Sequence, residues 1–205
     1  IAGGGGLLVV PALLLAGIPP TMMLGTNKCI SAIGTLVSTT HYIVKGRMLW
    51  KVIIVGLPLT LIGSILGANM ASHLDAGVIR SIVLIALPIA AIITLIPKSK
   101  SHTETPIIWQ SWRLWVVVPL IALAMGGYDG VFGPGTGSFL VMALYGIARL
   151  NFLHSAAVAR FFNLISNVGA LVMFMWHGKV IYAVALPLAI AGMAGHYAGS
   201  HVAIR

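Results

Sequence analysis

Carboxylates are almost missing from this chain. Its 205 residues include only Asp75, Glu104 and Asp129, set against twelve Lys and Arg. Asp129 alone stands near a membrane-length apolar segment. Away from it no Ser/His/Asp set has the acid that would orient its histidine, so a membrane enzyme is disfavoured. Charge of either sign is also scarce: 7% of residues are charged, where a soluble domain carries about 25%. The single cysteine, Cys29, lies in an apolar segment and reports neither a disulfide framework nor a metal site. Seven histidines are present without ligand spacing. His196 and His201 are five apart and off one helical face, so no metal is expected.

Nucleotide-binding loops are missing too. Residues 3–6 and 133–137 are glycine-rich, but neither ends in the Gly-Lys-Ser/Thr of a phosphate loop, and neither reads as G-x-G-x-x-G after a strand. No cofactor is implied. No signal-peptide pattern is visible. The chain begins at Ile1 without Met and stops at Arg205 directly after an apolar run, and it reads as a piece of a longer protein.

What is present is hydrocarbon. Hydrophobic residues make up 59% of the chain and the mean hydropathy is +1.05, values that point to an all-α polytopic membrane protein. The formal net charge of +9 would suggest nucleic acid in a soluble protein. Here the basic residues sit at the ends of apolar runs, as in cytoplasmic loops and interface anchors. The expected surroundings are a lipid bilayer, and nucleic acid is not a partner.

In order, residues 4–18 form a short apolar run holding Pro11 and closed by Pro19-Pro20, which fits a tilted span, a half-helix or a re-entrant segment. Residues 21–44 are apolar but dotted with Asn27, Lys28, Ser31, Thr35, Ser38, Thr39, Thr40 and His41, and should face the protein interior. Spans follow at 52–72 and 81–97. Residues 98–113 are the longest polar stretch and the one plausible linker between a first unit, 1–97, and a second, 114–205. The loops at 45–51 and 97–113 are both basic and would lie on the cytoplasmic side. Apolar runs then cover 114–128, 139–147, 152–177 and 180–203.

Between two of these runs, residues 126–138 hold six glycines, Pro134 and Asp129. Glycine adds backbone entropy and proline removes a donor, so an internal helix break is expected across this stretch, framed by Gly133, Gly135 and Gly137. Unpaired backbone at membrane depth must be buried in protein or line a cavity.

The second unit repeats the first. A shift of 132 places Gly3 on Gly135, Gly5 on Gly137, Gly46 on Gly178, Gly63 on Gly195 and Gly67 on Gly199, with 11 of 73 aligned positions identical. It also sets Lys28 on Arg160, Arg47 on Lys179, Tyr42 on Phe174 and Trp50 on Tyr182. Such duplication is common in secondary transporters, and an odd number of crossings per copy, the favoured count, would invert the copies. Gly63/Gly67 and Gly195/Gly199 read as close helix-packing pairs.

Lys28 and Arg160 are the sharpest functional signal. Each is the one cation well inside its segment, and a charge at membrane depth needs a partner, a wet cavity or a route to the interface. Two cations against one nearby carboxylate leave surplus positive charge, which an anionic substrate would complete. Asn27, Ser31 and Thr35 stand with Lys28; Asn163 and Asn167 share a helical face with Arg160. They would line a polar path as neutral donors, or join helices by hydrogen bonds. Asp129 is open between proton carrier, partner of a basic residue and helix-end residue.

Residues 3–13, with Gly25-Thr26-Asn27-Lys28, resemble the first-half signature of the sulfite exporter TauE/SafE family of bacterial inner-membrane permeases. Residues 127–139 resemble its second-half signature, and Ala159-Arg160, Asn163, Asn167 and Gly178-Lys179-Val180 continue the likeness. The resemblance implies a duplicated multi-helix permease that moves sulfur-containing or organic anions, with proton coupling left open. The expected function is secondary transport of a small anion such as sulfite or a sulfonate. Lys28, Arg160, Asn27, Thr35, Asn163 and Asn167 would bind it, the backbone at Gly5, Gly133, Gly135 and Gly137 would break the helices, and Asp129 would couple. The alternatives are a passive anion channel and a non-transporting membrane subunit that binds a protein partner. A homo-oligomer stays open.

Overall fold

The computed structural model describes residues 5–95 and 111–204. These residues form eight α-helices: α1 (Gly5–Leu15), α2 (Pro20–Val44), α3 (Trp50–His73), α4 (Ala76–Leu95), α5 (Val118–Val131), α6 (Thr136–Gly146), α7 (Phe152–Trp176) and α8 (Tyr182–Ile204). One π-helical turn, Arg113–Val117, leads into α5. Most of the linker at 98–113 falls outside the described residues, as do Gly3 and Gly4.

Four helical stretches are long and apolar enough to cross a membrane: Trp50–His73, Ala76–Thr94, Arg113–Val131 and Phe152–Trp176. α1 and α6 are the short apolar helices, at 11 residues each. Large apolar side chains such as Leu66, Ile85, Ile92 and Trp176 stand on the outside, where hydrocarbon replaces water as their solvent. The chain is a multi-pass membrane protein.

Local sequence sets the helix ends. Pro20 opens α2 at a position where its missing N–H would be unpaired anyway. Asn151 caps α7, its side-chain oxygen accepting from the Leu153 amide at 2.7 Å and the His154 amide at 3.4 Å. Pro11, Pro58, Pro88 and Pro187 all lie inside helices, which membrane helices tolerate better than soluble ones.

The elements recur along the chain at the interval seen in the sequence. Adding 132 to the bounds of α2, 20–44, gives 152–176, those of α7; adding it to 50, the start of α3, gives 182, the start of α8. The packing also exchanges across the two sets: α2 lies against α8 as α7 lies against α3, and α2 and α7 meet each other.

The expected break across 126–138 is narrower than the composition suggests. α5 runs through Gly126, Gly127 and Gly130 to Val131, and α6 starts at Thr136, so only residues 132–135 leave the helix. Gly137 lies in the first turn of α6, and Gly5 and Gly6 belong to α1. The physical reason is close packing. A Cβ on Gly63 would stand 2.5 Å from the Leu123 carbonyl oxygen, and one on Gly126 2.5 Å from that of Thr60. Cβ atoms on Gly67 and Gly130 would drive into the carbonyl oxygens of Gly127 and Ser64. The glycines let α3 and α5 touch backbone to backbone, the contact that replaces hydrophobic driving force in lipid.

The G-x-x-x-G pair of α8 behaves differently, since a Cβ on Gly195 would meet nothing within 4 Å among the described residues. Gly130→Ala should therefore lower stability by about 1–3 kcal/mol through overpacking. Gly195→Ala should change it by no more than about 1 kcal/mol, toward greater stability. Thermal unfolding of the two variants in one detergent checks the contrast.

Candidate functional site

α2 and α7 bring their polar faces together at the centre of the bundle. Lys28 is 1% exposed, Asp129 1% and Arg160 7%, so all three charges are inside. Lys28 Nζ stands 2.9 Å from Asp129 Oδ1 and donates to Asn167 Oδ1 at 3.4 Å. The same carboxylate accepts from Thr136 Oγ1 at 2.9 Å and from Ser166 Oγ at 2.5 Å. Asp129 is thus the partner of a basic residue, held from three sides by α2, α6 and α7.

The turn that follows α5 is built around this pair. Gly133 (φ +95°) and Gly135 (φ +84°) take the left-handed conformation that side chains disfavour. A Cβ on Gly133 would also stand 2.6 Å from Lys28 Nζ. The Tyr128 hydroxyl donates to the Pro134 carbonyl at 2.8 Å and closes the turn. Across it, a Cβ on Gly6 would sit 3.3 Å from Pro134 Cα, so the first turns of α1 and α6 approach the same place. Helix N-termini carry partial positive charge and free N–H groups.

Arg160 has no such partner. Its Nη1 is buried without a hydrogen bond, and no carboxylate pairs with it among the described residues. The Asn27 side-chain oxygen is likewise buried and unpartnered. Both residues line a cavity of about 20 Å³, room for little more than one water molecule. α2 contributes Asn27, Ser31 and Thr35 to it; α7 contributes Arg160, Asn163 and Asn167. Gly6, Asp129, Gly133 and His196 complete the lining.

Of the residues expected at a site, Lys28, Arg160, Asn27, Thr35, Asn163, Asn167, Gly133 and Asp129 are brought together here. Their chemistry differs in detail. Lys28 is occupied by Asp129. The Thr35 hydroxyl donates to its own helix, at the Ser31 carbonyl 2.6 Å away. Asn167 donates to the Asn163 side-chain oxygen at 2.5 Å, and Asn163 lines the cavity. Gly135 and Gly137 shape the α6 start, and Gly5 that of α1.

Three residues escaped the sequence reading. Thr136 and Ser166 bind Asp129, and His196 lines the cavity from α8. Ser166 is three residues after Asn163, so helical spacing could have flagged it. Among the described residues no three His, Cys, Asp or Glu side chains converge as a metal site.

Comparison with known proteins places the chain. The family model described as sulfite exporter TauE/SafE matches residues 1–205. The chain belongs to the TauE/SafE family. It is similar to the "Probable membrane transporter protein ORF9" of Sinorhizobium sp, 36% identical over 212 residues, covering 100% of this chain and 77% of that protein. It is 31% identical over 208 residues to the "Probable membrane transporter protein YfcA" of Escherichia coli (strain K12), covering 100% of this chain and 75% of that one. It is 23% identical over 199 residues to the "Probable membrane transporter protein YdhB" of Bacillus subtilis (strain 168), covering 97% and 81%. No solved structure matches significantly. This TauE/SafE chain is a membrane transporter, and the paired polar faces of α2 and α7 lie at its core.

The buried pair sets a stability test. Removing one partner of a buried ion pair costs roughly 3–5 kcal/mol, because the other charge is left bare. Asp129→Leu and Lys28→Met should each lower stability by about that amount, and the double variant should recover most of it. A double-mutant cycle on thermal unfolding checks the coupling.

Proposed function

We propose that this TauE/SafE transporter carries a small anion through the cavity between α2 and α7, with Arg160 as the main ligand of the anion's charge. One observation carries the reading: a buried guanidinium with an unpartnered Nη1 beside a cation whose charge is already matched. Lys28 and Arg160 against Asp129 give two positive charges and one negative, so the site lacks one negative charge. A planar guanidinium suits an oxyanion, which it can hold through two N–H groups.

Asn27 and Asn163 complete the ligand set as neutral groups. Lys28 and Asn167 act one step back, by fixing Asp129 and Asn163. The family's printed description, sulfite exporter, favours a compact anion such as sulfite or a small sulfonate over a bulky organic acid. The recurrence of α2 and α3 as α7 and α8 supports two homologous repeats that rock about a shared site, the usual basis of alternating access. Movement of a proton with the anion is part of the same proposal.

Flux of radiolabelled sulfite, sulfonates and organic acids into liposomes, with and without a pH gradient, tests the reading. Saturable flux of one small anion is expected. Non-saturating flux would make the protein a channel, and no flux at all a non-transporting subunit. In purified protein, Arg160→Gln should weaken anion-dependent thermal stabilisation by about ten- to a hundredfold in concentration, the worth of a hydrogen bond to a charged group. An unchanged anion response in Arg160→Gln would overturn the site.

A further inference from the structure

Arg160 shares its cavity with one ionisable group that neither the ion pair nor the anion ligation uses. His196 lies on α8 and lines the cavity beside Arg160, Ser31 and Thr35. Its ring lies against the backbone of α2: a Cβ on Gly34 would stand 2.5 Å from its Cδ2 and 2.8 Å from its Nε2. Gly34 thereby leaves the space the imidazole occupies. No hydrogen bond to the His196 side chain is found among the described residues. Its position 132 residues earlier is Ser64, which bonds its own helix at the Leu61 carbonyl, 2.9 Å away. One crossing carries a hydroxyl, and the other carries an imidazole, which has a ring nitrogen able to take up a proton.

The charges that face His196 come from every element around it. α7 presents Arg160, and α5 presents Asp129, already bound to Lys28 of α2. Further along α8, Tyr197 and His201 stack with His41 of α2. Those rings line a separate cavity with Lys45, away from Arg160. With the anion position empty, the net charge facing His196 is the single positive charge of Arg160, and this disfavours a second cation beside it. An anion on Arg160 cancels that charge, removes the repulsion and so eases protonation of the imidazole.

We propose that His196 is the proton site of the transporter, taking up one proton when one anion binds at Arg160. The proposal rests on the anion site described above, and it assigns the coupling to the imidazole of α8 rather than to the carboxylate of Asp129. Anion and proton then enter together: one negative charge arrives on Arg160, one positive charge forms on His196, and the charge of the loaded site equals that of the empty one. Linkage makes this reciprocal, so acid tightens anion binding by the same factor by which the anion favours protonation.

The test uses methanesulfonate, a monoanion that stays ionised across the range and so brings no titration of its own. Affinity is read from thermal stabilisation at about pH 5.5 and about pH 8, either side of an ordinary histidine. Wild type should bind about tenfold more tightly at the acid end, within the usual range for coupled sites. His196→Gln should flatten this slope, and the slope rather than the absolute affinity is the readout. Proton uptake by wild type on anion addition in weakly buffered solution gives a second measurement that needs no variant, and one proton per anion is expected.

Binding without proton uptake, or a slope retained in His196→Gln, would overturn the role of His196 and leave the anion site standing. If methanesulfonate does not stabilise wild type at either pH, the anion site fails and this proposal fails with it.

Discussion

The ion pair of Lys28 with Asp129 is the constraint on which the rest of the structure depends. Two cations at membrane depth are tolerable only if each finds a negative charge or a polar cavity. The single carboxylate in reach goes to Lys28, at 2.9 Å. To deliver it, α5 must come close to α3, which the small residues Gly63, Gly67, Gly126 and Gly130 allow. The chain must then turn sharply over Lys28, which Gly133 and Gly135 allow. Thr136 and Ser166 complete the shell of the carboxylate from the two helices that follow. What remains is Arg160, buried and short of a partner.

That asymmetry gives two equivalent positions different work. Lys28 and Arg160 stand 132 residues apart on helices of equal length, α2 and α7. The first is locked into the protein by its counter-ion and fixes the relative placement of α2, α5 and α7. The second has a buried Nη1 without a hydrogen bond, and the proposed anion would be its partner. Arg suits this role better than Lys, since its planar fork is preorganised and less strongly hydrated. The proposed proton site follows the same pattern, because His196 stands where the other half has Ser64.

Much of the helix plan was legible in the chain. The apolar runs at 21–44 and 152–177 became α2 and α7 almost to the residue, because Pro20 and Asn151 mark their starts. The convergence of Lys28, Arg160 and the asparagines could be read from helical spacing and the 132-residue shift. The glycine-rich stretch was legible only in part. Its composition says that a helix is weak there, but not that a neighbouring helix would press on it closely enough to make glycine the fitting residue. Gly126 and Gly130 therefore read as a break and serve as a contact. The partner of Asp129 was hidden for a related reason: the salt bridge joins α5 to α2 through a tertiary approach that no local pattern records. The same holds for His196, whose spacing from His201 says nothing about a ring laid over Gly34 of α2.

The most direct measurement is the position of a bound anion. A structure of the protein soaked with bromomethanesulfonate would locate the bromine by its anomalous signal. Signal within contact distance of the Arg160 guanidinium, with the bond between Lys28 and Asp129 intact, is the expected result. Signal at Lys28 with Asp129 displaced, or none between α2 and α7, would contradict the assignment of the anion's charge to Arg160.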